Sequence, residues 1–139
     1  MKNIGKIIHV IDVKLKRKID RLAGEYNLTL IQFIAMEHIY LASKKGDVFQ
    51  RDLEAALDVR RSTISNVLGI LENKGYIRRE SVACDARLKK LILTPAGESI
   101  FMEFKQRLAQ DEAQDFQVFT EEETETLLRL LKRLSETLK

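Results

Sequence analysis

Residues 62–74 combine two kinds of side chain that would lie on opposite sides of an α-helix. The apolar residues recur at i, i+3, i+4 and i+7, the spacing of a buried helix face: Ile64, Val67, Leu68 and Leu71. The opposite side has the same spacing but only small or hydrogen-bonding residues: Ser62, Ser65, Asn66 and Gly69. Such a thin polar face fits the major groove of DNA, where hydroxyl and amide groups can hydrogen-bond to base edges.

Two arginines precede this helix at a position where local rules disfavour them. Arg60 and Arg61 stand at the predicted helix start, where the helix dipole disfavours a positive charge. Position 60 also lacks the Ser, Thr, Asp or Asn that commonly caps a helix. A DNA phosphate beside this helix end would give both cations a ligand, with help from backbone N–H groups. The alternative is a pair of solvated arginines in a loop.

A β-hairpin is predicted after the helix. Gly75 has the position of a glycine that ends a helix. Two strand-like runs follow at residues 76–82 and 88–93, with residues 83–87 as the tip. The runs carry four cations: Arg78, Arg79, Lys89 and Lys90. A basic hairpin beside a thin polar helix indicates a winged helix-turn-helix, in which the helix enters the major groove and the wing contacts the backbone and minor groove.

These segments resemble the DNA-binding core of the MarR/SlyA family of bacterial transcriptional regulators. The motifs that carry the resemblance are LDVRRSTISN, LENKGYIRR, Asp85-Ala86-Arg87 in the wing, and LILTPAG, which matches the family's Leu-Thr-x-x-Gly pattern. Arg60 departs from the small capping residue usual in the family. The resemblance implies a mainly α fold with a small β-hairpin wing, a winged helix-turn-helix core and flanking dimerisation helices. It also implies a homodimeric regulator, such as a repressor, that binds a double-stranded operator.

The residues expected to contact DNA are polar or charged and belong to the helix or the wing: Arg60, Arg61, Ser62, Thr63, Ser65, Asn66, Asp85, Arg87 and Lys89. Asn66 is the best candidate for adenine, since its amide both donates and accepts. Arg87 would lie in or over the minor groove. Asp85 has the wrong sign for DNA, so we expect it to hold Arg87 through a charge-assisted hydrogen bond. The alternative is a loose surface pair.

The chain has 139 residues, enough for one domain with a core. We predict a single domain over 1–139, with 28–97 as the winged helix-turn-helix and 1–24 and 98–139 as dimerisation helices. Apolar residues recur along one side of both terminal helices: Ile4, Ile8, Ile11, Leu127, Leu131, Leu134 and Leu138. Pairing of these helices across a two-fold axis would make a homodimer. Its recognition helices could then occupy successive major grooves, about 34 Å apart.

The charge distribution also favours DNA as the partner. The net charge is only +3, but residues 60–90 contain eight Lys and Arg against three Asp and Glu, whereas residues 98–139 contain six against ten. The helix and wing therefore form a basic island. No stretch approaches the roughly 18 consecutive apolar residues of a membrane span, and the N-terminus lacks a signal peptide's apolar region. We expect a cytoplasmic protein without a membrane partner.

Two capping boxes predict further helix starts. Thr29 with Gln32 should begin a helix that runs to about Ser43, and Thr120 with Glu123 should begin the last helix. In the family that the chain resembles, a cleft that often takes aromatic anions forms where the former helix meets the first and fifth helices. The resemblance therefore allows a small-molecule effector, although the sequence identifies no ligand-binding residues.

Other classes of function find less support in the sequence. A redox-sensing regulator could act through Cys84, which is the single cysteine and rules out an internal disulfide or a cysteine-based zinc cluster. An enzyme is disfavoured, because the chain has two histidines, no glycine-rich phosphate loop and no paired metal-ligand motif. We therefore expect no catalytic residue, metal or cofactor. A winged-helix module that binds protein instead of DNA is the third alternative, and the basic island argues against it.

Overall fold

The computed structural model describes residues 3–138, in which six α-helices, a short 3-10 helix and a two-stranded antiparallel sheet are found. Their bounds are α1 Ile4–Glu25, α2 Leu30–Ser43, α3 Gln50–Leu57, α4 Arg61–Asn73, β1 Ile77–Val82, β2 Asp85–Leu93, α5 Pro95–Asp115, the 3-10 helix Phe116–Val118, and α6 Glu121–Thr137. This confirms the predicted mainly α fold with a hairpin wing. Residues 1 and 2 of the predicted first helix lie outside the described residues.

The chain forms two compact units, of which the first ends at Lys105 and the second begins at Gln106. The first unit has an apolar core with contributions from α2, α3, α4 and α5; its largest fully buried side chains include Met36, Ile39, Leu53, Ile64, Leu68, Leu71, Phe101 and Phe104. Phe33 stacks on Phe101 with ring centroids 5.4 Å apart and meets Phe104 edge to face at 4.2 Å. None of the described helices has the length and hydropathy of a membrane span.

Both predicted capping boxes are confirmed. Thr29 N–H donates to Gln32 Oε1 at 3.1 Å, and Gln32 N–H donates to Thr29 Oγ1 at 3.4 Å. The corresponding bonds between Thr120 and Glu123 are 3.0 and 3.1 Å. Each box satisfies two backbone groups that the first turn of a helix otherwise leaves without a partner. These local bonds explain why α2 and α6 begin where the sequence predicts.

The end of α4 is also as predicted. Gly75 has φ +78°, in the left-handed region that favours glycine. Its N–H donates to the Glu72 carbonyl at 2.9 Å, while Tyr76 N–H donates to the Leu71 carbonyl at 3.0 Å. This pair of bonds is a Schellman motif, which ends the helix and turns the chain directly into β1.

The predicted hairpin tip was too long. β1 and β2 pair regularly from Ile77↔Leu93 to Ser81↔Lys89, and the register then shifts so that Val82 pairs with Asp85. The turn therefore contains only Ala83 and Cys84, and β2 begins at Asp85 instead of Leu88. Residues 86–88 bulge from β2 because the shift leaves them opposite no residue of β1. Strand propensity alone does not reveal such a bulge.

A third segment, immediately before α3, pairs with the hairpin. The Val48 carbonyl accepts a hydrogen bond from Leu91 N–H at 2.7 Å, and Phe49 forms an isolated antiparallel bridge with Lys90. Lys90 Nζ also lies 3.8 Å from Asp47 Oδ1. These contacts fix the start of the first helix of the helix-turn-helix against the wing.

The two ends of the hairpin meet at the start of α5. Thr94 N–H donates to the Tyr76 carbonyl at 3.0 Å, and Thr94 Oγ1 donates to the Gly75 carbonyl at 2.6 Å. Thr94 Oγ1 also accepts from Gly97 N–H at 3.0 Å, which caps α5. Gly97 is buried against the Tyr76 carbonyl, and a Cβ at this position would lie 2.0 Å from that oxygen. The Thr-x-x-Gly spacing is therefore required by a backbone contact.

We predict that Gly97→Ala lowers the free energy of unfolding by about 3 kcal/mol, since the obstructing atom belongs to the backbone and cannot rotate away. Gly69→Ala, which adds the same methyl group to a helix position with nothing within 4 Å, should instead stabilise the protein by about 0.5–1 kcal/mol. Urea unfolding followed by circular dichroism measures both. Equal stability of the two variants would contradict the close approach at Gly97.

Candidate nucleic-acid interface

The two sides of α4 differ in burial as the sequence predicts. Its apolar side is buried in the core: Ile64, Val67, Leu68 and Leu71. The polar residues that we expected to contact DNA are all exposed: Ser62, Thr63, Ser65 and Asn66. The core contact therefore fixes the rotation of the helix about its axis, and the hydroxyl and amide groups face solvent.

The start of α4 has two exposed cations and no side-chain cap. Arg60 is the N-cap residue with an extended backbone, and its side chain forms no capping hydrogen bond. Arg61 occupies the first helical position, and both side chains are exposed. Backbone N–H groups of a first helical turn have no intrahelical acceptor, so an anion can bind there. The two arginines add charge to such a site.

The side chain of Arg87 projects from the bulge of the wing and is 94% exposed. Asp85 Oδ1 accepts a hydrogen bond from the backbone N–H of Arg87 at 2.9 Å and lies 3.5 Å from Arg87 Nε. An exposed pair of this kind contributes little stability. The two side chains are thus in contact, and the role of Asp85 in holding Arg87 for DNA stays a prediction.

A groove between α3, α4 and the wing brings together residues from distant parts of the sequence. Three of its lining residues were predicted from sequence: Arg61, Arg87 and Lys89. Four other polar lining residues were not among the predicted contacts: Gln50, Arg51, Glu54 and Arg79. The lining thus contains five cations and one carboxylate, that of Glu54. A groove with this charge attracts anions such as the phosphates of DNA.

Gln50 and Arg79 each contact α4 from another element. Gln50 Nε2 donates to Ser65 Oγ at 2.8 Å, a bond between α3 and α4. Arg79 Nε lies 3.7 Å from Glu72 Oε2, so this strand residue forms an ion pair with the recognition helix. For Gln50 and Arg51, the available signal was their place in the first turn of the first helix of a helix-turn-helix.

The wing also contains Lys89, a predicted DNA contact, and Cys84, the residue on which a redox-sensing function would depend. Lys89 Nζ donates to Ser81 Oγ across the hairpin at 2.5 Å, so this lysine is held on the strand. Cys84 is an exposed free thiol in the two-residue turn. It is the single cysteine of the chain, so disulfide formation would need a second molecule.

A family model described as the MarR family matches residues 26–88. MepR, a transcription regulator of the Staphylococcus aureus multidrug efflux pump MepA, is 25% identical with a TM-score of 0.85 over 99% of this chain and 100% of that one. The S. aureus MepR–DNA complex is 26% identical with a TM-score of 0.81, over 99% of this chain and 100% of that one. A mutant of E. coli MarR in complex with operator DNA is 26% identical with a TM-score of 0.76, over 94% of this chain and 92% of that one. These matches confirm the resemblance inferred from the motifs.

Proposed function

From the family-model match over residues 26–88 and the similar fold of MepR, we propose that the chain is a MarR-family member and a sequence-specific transcriptional regulator that binds double-stranded DNA. It acts as a homodimer on a pseudo-palindromic operator and represses transcription there. The relatives whose structures contain DNA support this class of partner.

The main support for the proposal is that a polar helix face and a basic groove lie side by side. The exposed side of α4 offers hydroxyl and amide groups, which suit base edges. The groove beside it offers cations from α3, α4 and the wing, which suit phosphates. A protein-interaction module would need neither the thin polar helix face nor five cations around one groove.

Dimerisation is supported by apolar side chains that are exposed in the single chain. Within the described residues 106–138, no side chain is buried. Leu128 is 53%, Leu131 44% and Leu138 67% exposed. On α1, Ile4 is 58% and Ile11 49% exposed. Water contact over so many large apolar side chains is unfavourable, and a second copy would cover them.

We predict that Leu131→Glu produces a monomer in sedimentation equilibrium under conditions in which the unmodified protein is a dimer. A buried charge without a partner is strongly unfavourable in an apolar interface. The monomer should also lose most operator affinity, because two half-sites are no longer bound together. Leu41→Glu is the matched control: Leu41 is 49% exposed on α2, outside the predicted interface, and its replacement should leave the dimer intact. A monomeric unmodified protein would overturn the proposed assembly.

Arg87→Ala tests the wing. Loss of one phosphate contact in each half of the dimer should weaken operator binding and reduce the slope of log K against log salt by about one unit per contact. Fluorescence anisotropy with a labelled duplex over a salt series measures both quantities. Arg129→Ala removes an exposed arginine from α6 and should change neither.

Asp85→Ala tests whether the orientation of the Arg87 side chain matters for DNA binding in addition to its charge. It removes an acceptor for Arg87 but no cation, so affinity should fall while the salt slope stays close to that of the unmodified protein. Operator affinity and salt slope that are both unchanged in Arg87→Ala would contradict the role proposed for the wing.

We also propose that a small aromatic anion modulates DNA binding. Lys44 Nζ lies 4.3 Å from the centroid of the half-buried Tyr40 ring, and Tyr40 packs on Phe101 at 5.0 Å. Lys105 Nζ lies 5.8 Å from the Phe101 centroid. The half-buried Tyr40 ring and the two ammonium groups suit a flat carboxylate, whereas the fully buried Phe101 only supports the Tyr40 ring.

A panel of phenolic acids provides the test. A compound that binds the folded protein should raise its melting temperature. It should also lower operator affinity by as much as it prefers the DNA-free arrangement. The double variant Lys44→Ala, Lys105→Ala should lose the thermal shift. Operator affinity that no compound of the panel changes would exclude this class of effector.

A further inference from the structure

The hydrogen bond between Gln50 and Ser65 connects the two helices of the helix-turn-helix at their exposed side. Gln50 is half-buried at the first position of α3, and Ser65 is exposed on the polar face of α4. The donor is the Gln50 side-chain amide, and the Ser65 hydroxyl oxygen accepts at 2.8 Å. Among the DNA-contact candidates on that face, Ser65 is the one for which the described structure contains a side-chain hydrogen bond to α3.

This bond determines how Ser65 can act toward a ligand. A serine hydroxyl has one hydrogen to donate and can also accept, and the hydrogen rotates to suit its surroundings. With the Gln50 amide donating to the oxygen, the hydroxyl hydrogen is directed away from Gln50. Ser65 is thereby biased to act as a donor toward whatever lies against the polar face of α4.

The major groove distinguishes bases by such donors and acceptors. Guanine offers N7 and O6, adenine offers N7 and thymine offers O4 as acceptors, whereas cytosine presents an N4 amino donor. A hydroxyl that is biased toward donating therefore favours an edge with an acceptor over cytosine at the same position. A freely rotating hydroxyl would discriminate less between these edges.

We propose that Gln50 is a positioning residue for DNA recognition, which holds Ser65 as a hydrogen-bond donor and so gives it a preference for an acceptor on one base edge. Gln50 also lines the basic groove, so the same side chain connects the base-reading face to the phosphate-binding side. This inference rests on the proposed DNA-binding function and adds a specificity-determining residue from outside the recognition helix.

The test compares base preference, using a duplex that the unmodified protein selects from a randomised pool. Affinities for duplexes with every single base-pair substitution are measured at one salt concentration for Ser65→Ala, Gln50→Ala and the double variant. Ser65→Ala should lose about five-fold discrimination at one base pair of each half-site, the value of one ordinary hydrogen bond. Gln50→Ala should lose the same discrimination at the same base pair, and the double variant should lose no more than either single variant.

Gln50→Glu sharpens the test, because a carboxylate can only accept. Ser65 would then donate to residue 50 and turn its oxygen lone pairs outward, so the preference at that base pair should move toward cytosine and adenine, whose amino groups donate. The added negative charge should weaken binding to all duplexes alike. Gln110→Ala, which changes an exposed glutamine on α5, is the control and should leave every preference unchanged.

Three results would overturn the inference. Gln50→Ala could retain the discrimination that Ser65→Ala loses, could lose it at a different base pair, or could weaken binding to all duplexes equally with a lower melting temperature. The last would indicate a purely structural bond between α3 and α4. If the unmodified protein selects no duplex, the proposed function itself fails, and the two failures are thus distinguishable.

Discussion

The wing and the recognition helix are held together by a backbone junction at the base of the hairpin. Thr94 bonds to the carbonyls of Gly75 and Tyr76, at the point where α4 ends and β1 begins. Gly97 allows the first turn of α5 to lie directly against the Tyr76 carbonyl. A side chain at either glycine would strain this junction, by backbone conformation at Gly75 and by collision at Gly97. The orientation of the wing relative to α4 depends on it.

The junction at the base is complemented by a second attachment farther along the hairpin. Leu91 N–H of β2 donates to the Val48 carbonyl, and Phe49 forms an isolated bridge with Lys90, so the segment before α3 is attached to the wing. The first unit also contains the apolar core against which the buried side of α4 packs. These contacts give the helix-turn-helix and wing a fixed geometry within one chain. By contrast, none of the large apolar side chains in the described residues 106–138 is buried in the single chain.

The cations around the groove repel one another, which lowers the stability of the protein without DNA. Four arginines and a lysine line one groove, and like charges at short range repel each other. Carboxylates reduce this repulsion at defined places: Glu72 lies beside Arg79, and Asp85 lies beside Arg87. DNA phosphates would neutralise the remaining charge on binding, with release of counterions. The arrangement illustrates how a binding surface keeps interactions that do little for folding.

The sequence by itself determined the features that depend on residues close together in the chain. The helix faces of α4, the capping boxes at Thr29 and Thr120, and the glycine terminus at Gly75 all follow from spacings of three to five residues. The strand-like runs after Gly75 predicted the hairpin, and the resemblance to the MarR family added the wing motif Asp85-Ala86-Arg87. Both the helical spacing of the polar residues and the resemblance predicted that the DNA contacts lie on α4 and the hairpin.

Only the tertiary structure decided which residues from other elements join them. Gln50 and Ser65 are 15 positions apart, and Arg79 reaches the groove from β1. The bulge at residues 86–88 and the contact of Gly97 with Tyr76 likewise depend on segments that meet only after folding. Local propensity cannot encode such contacts, because the free energy that fixes them comes from packing and hydrogen bonds between distant parts of the chain.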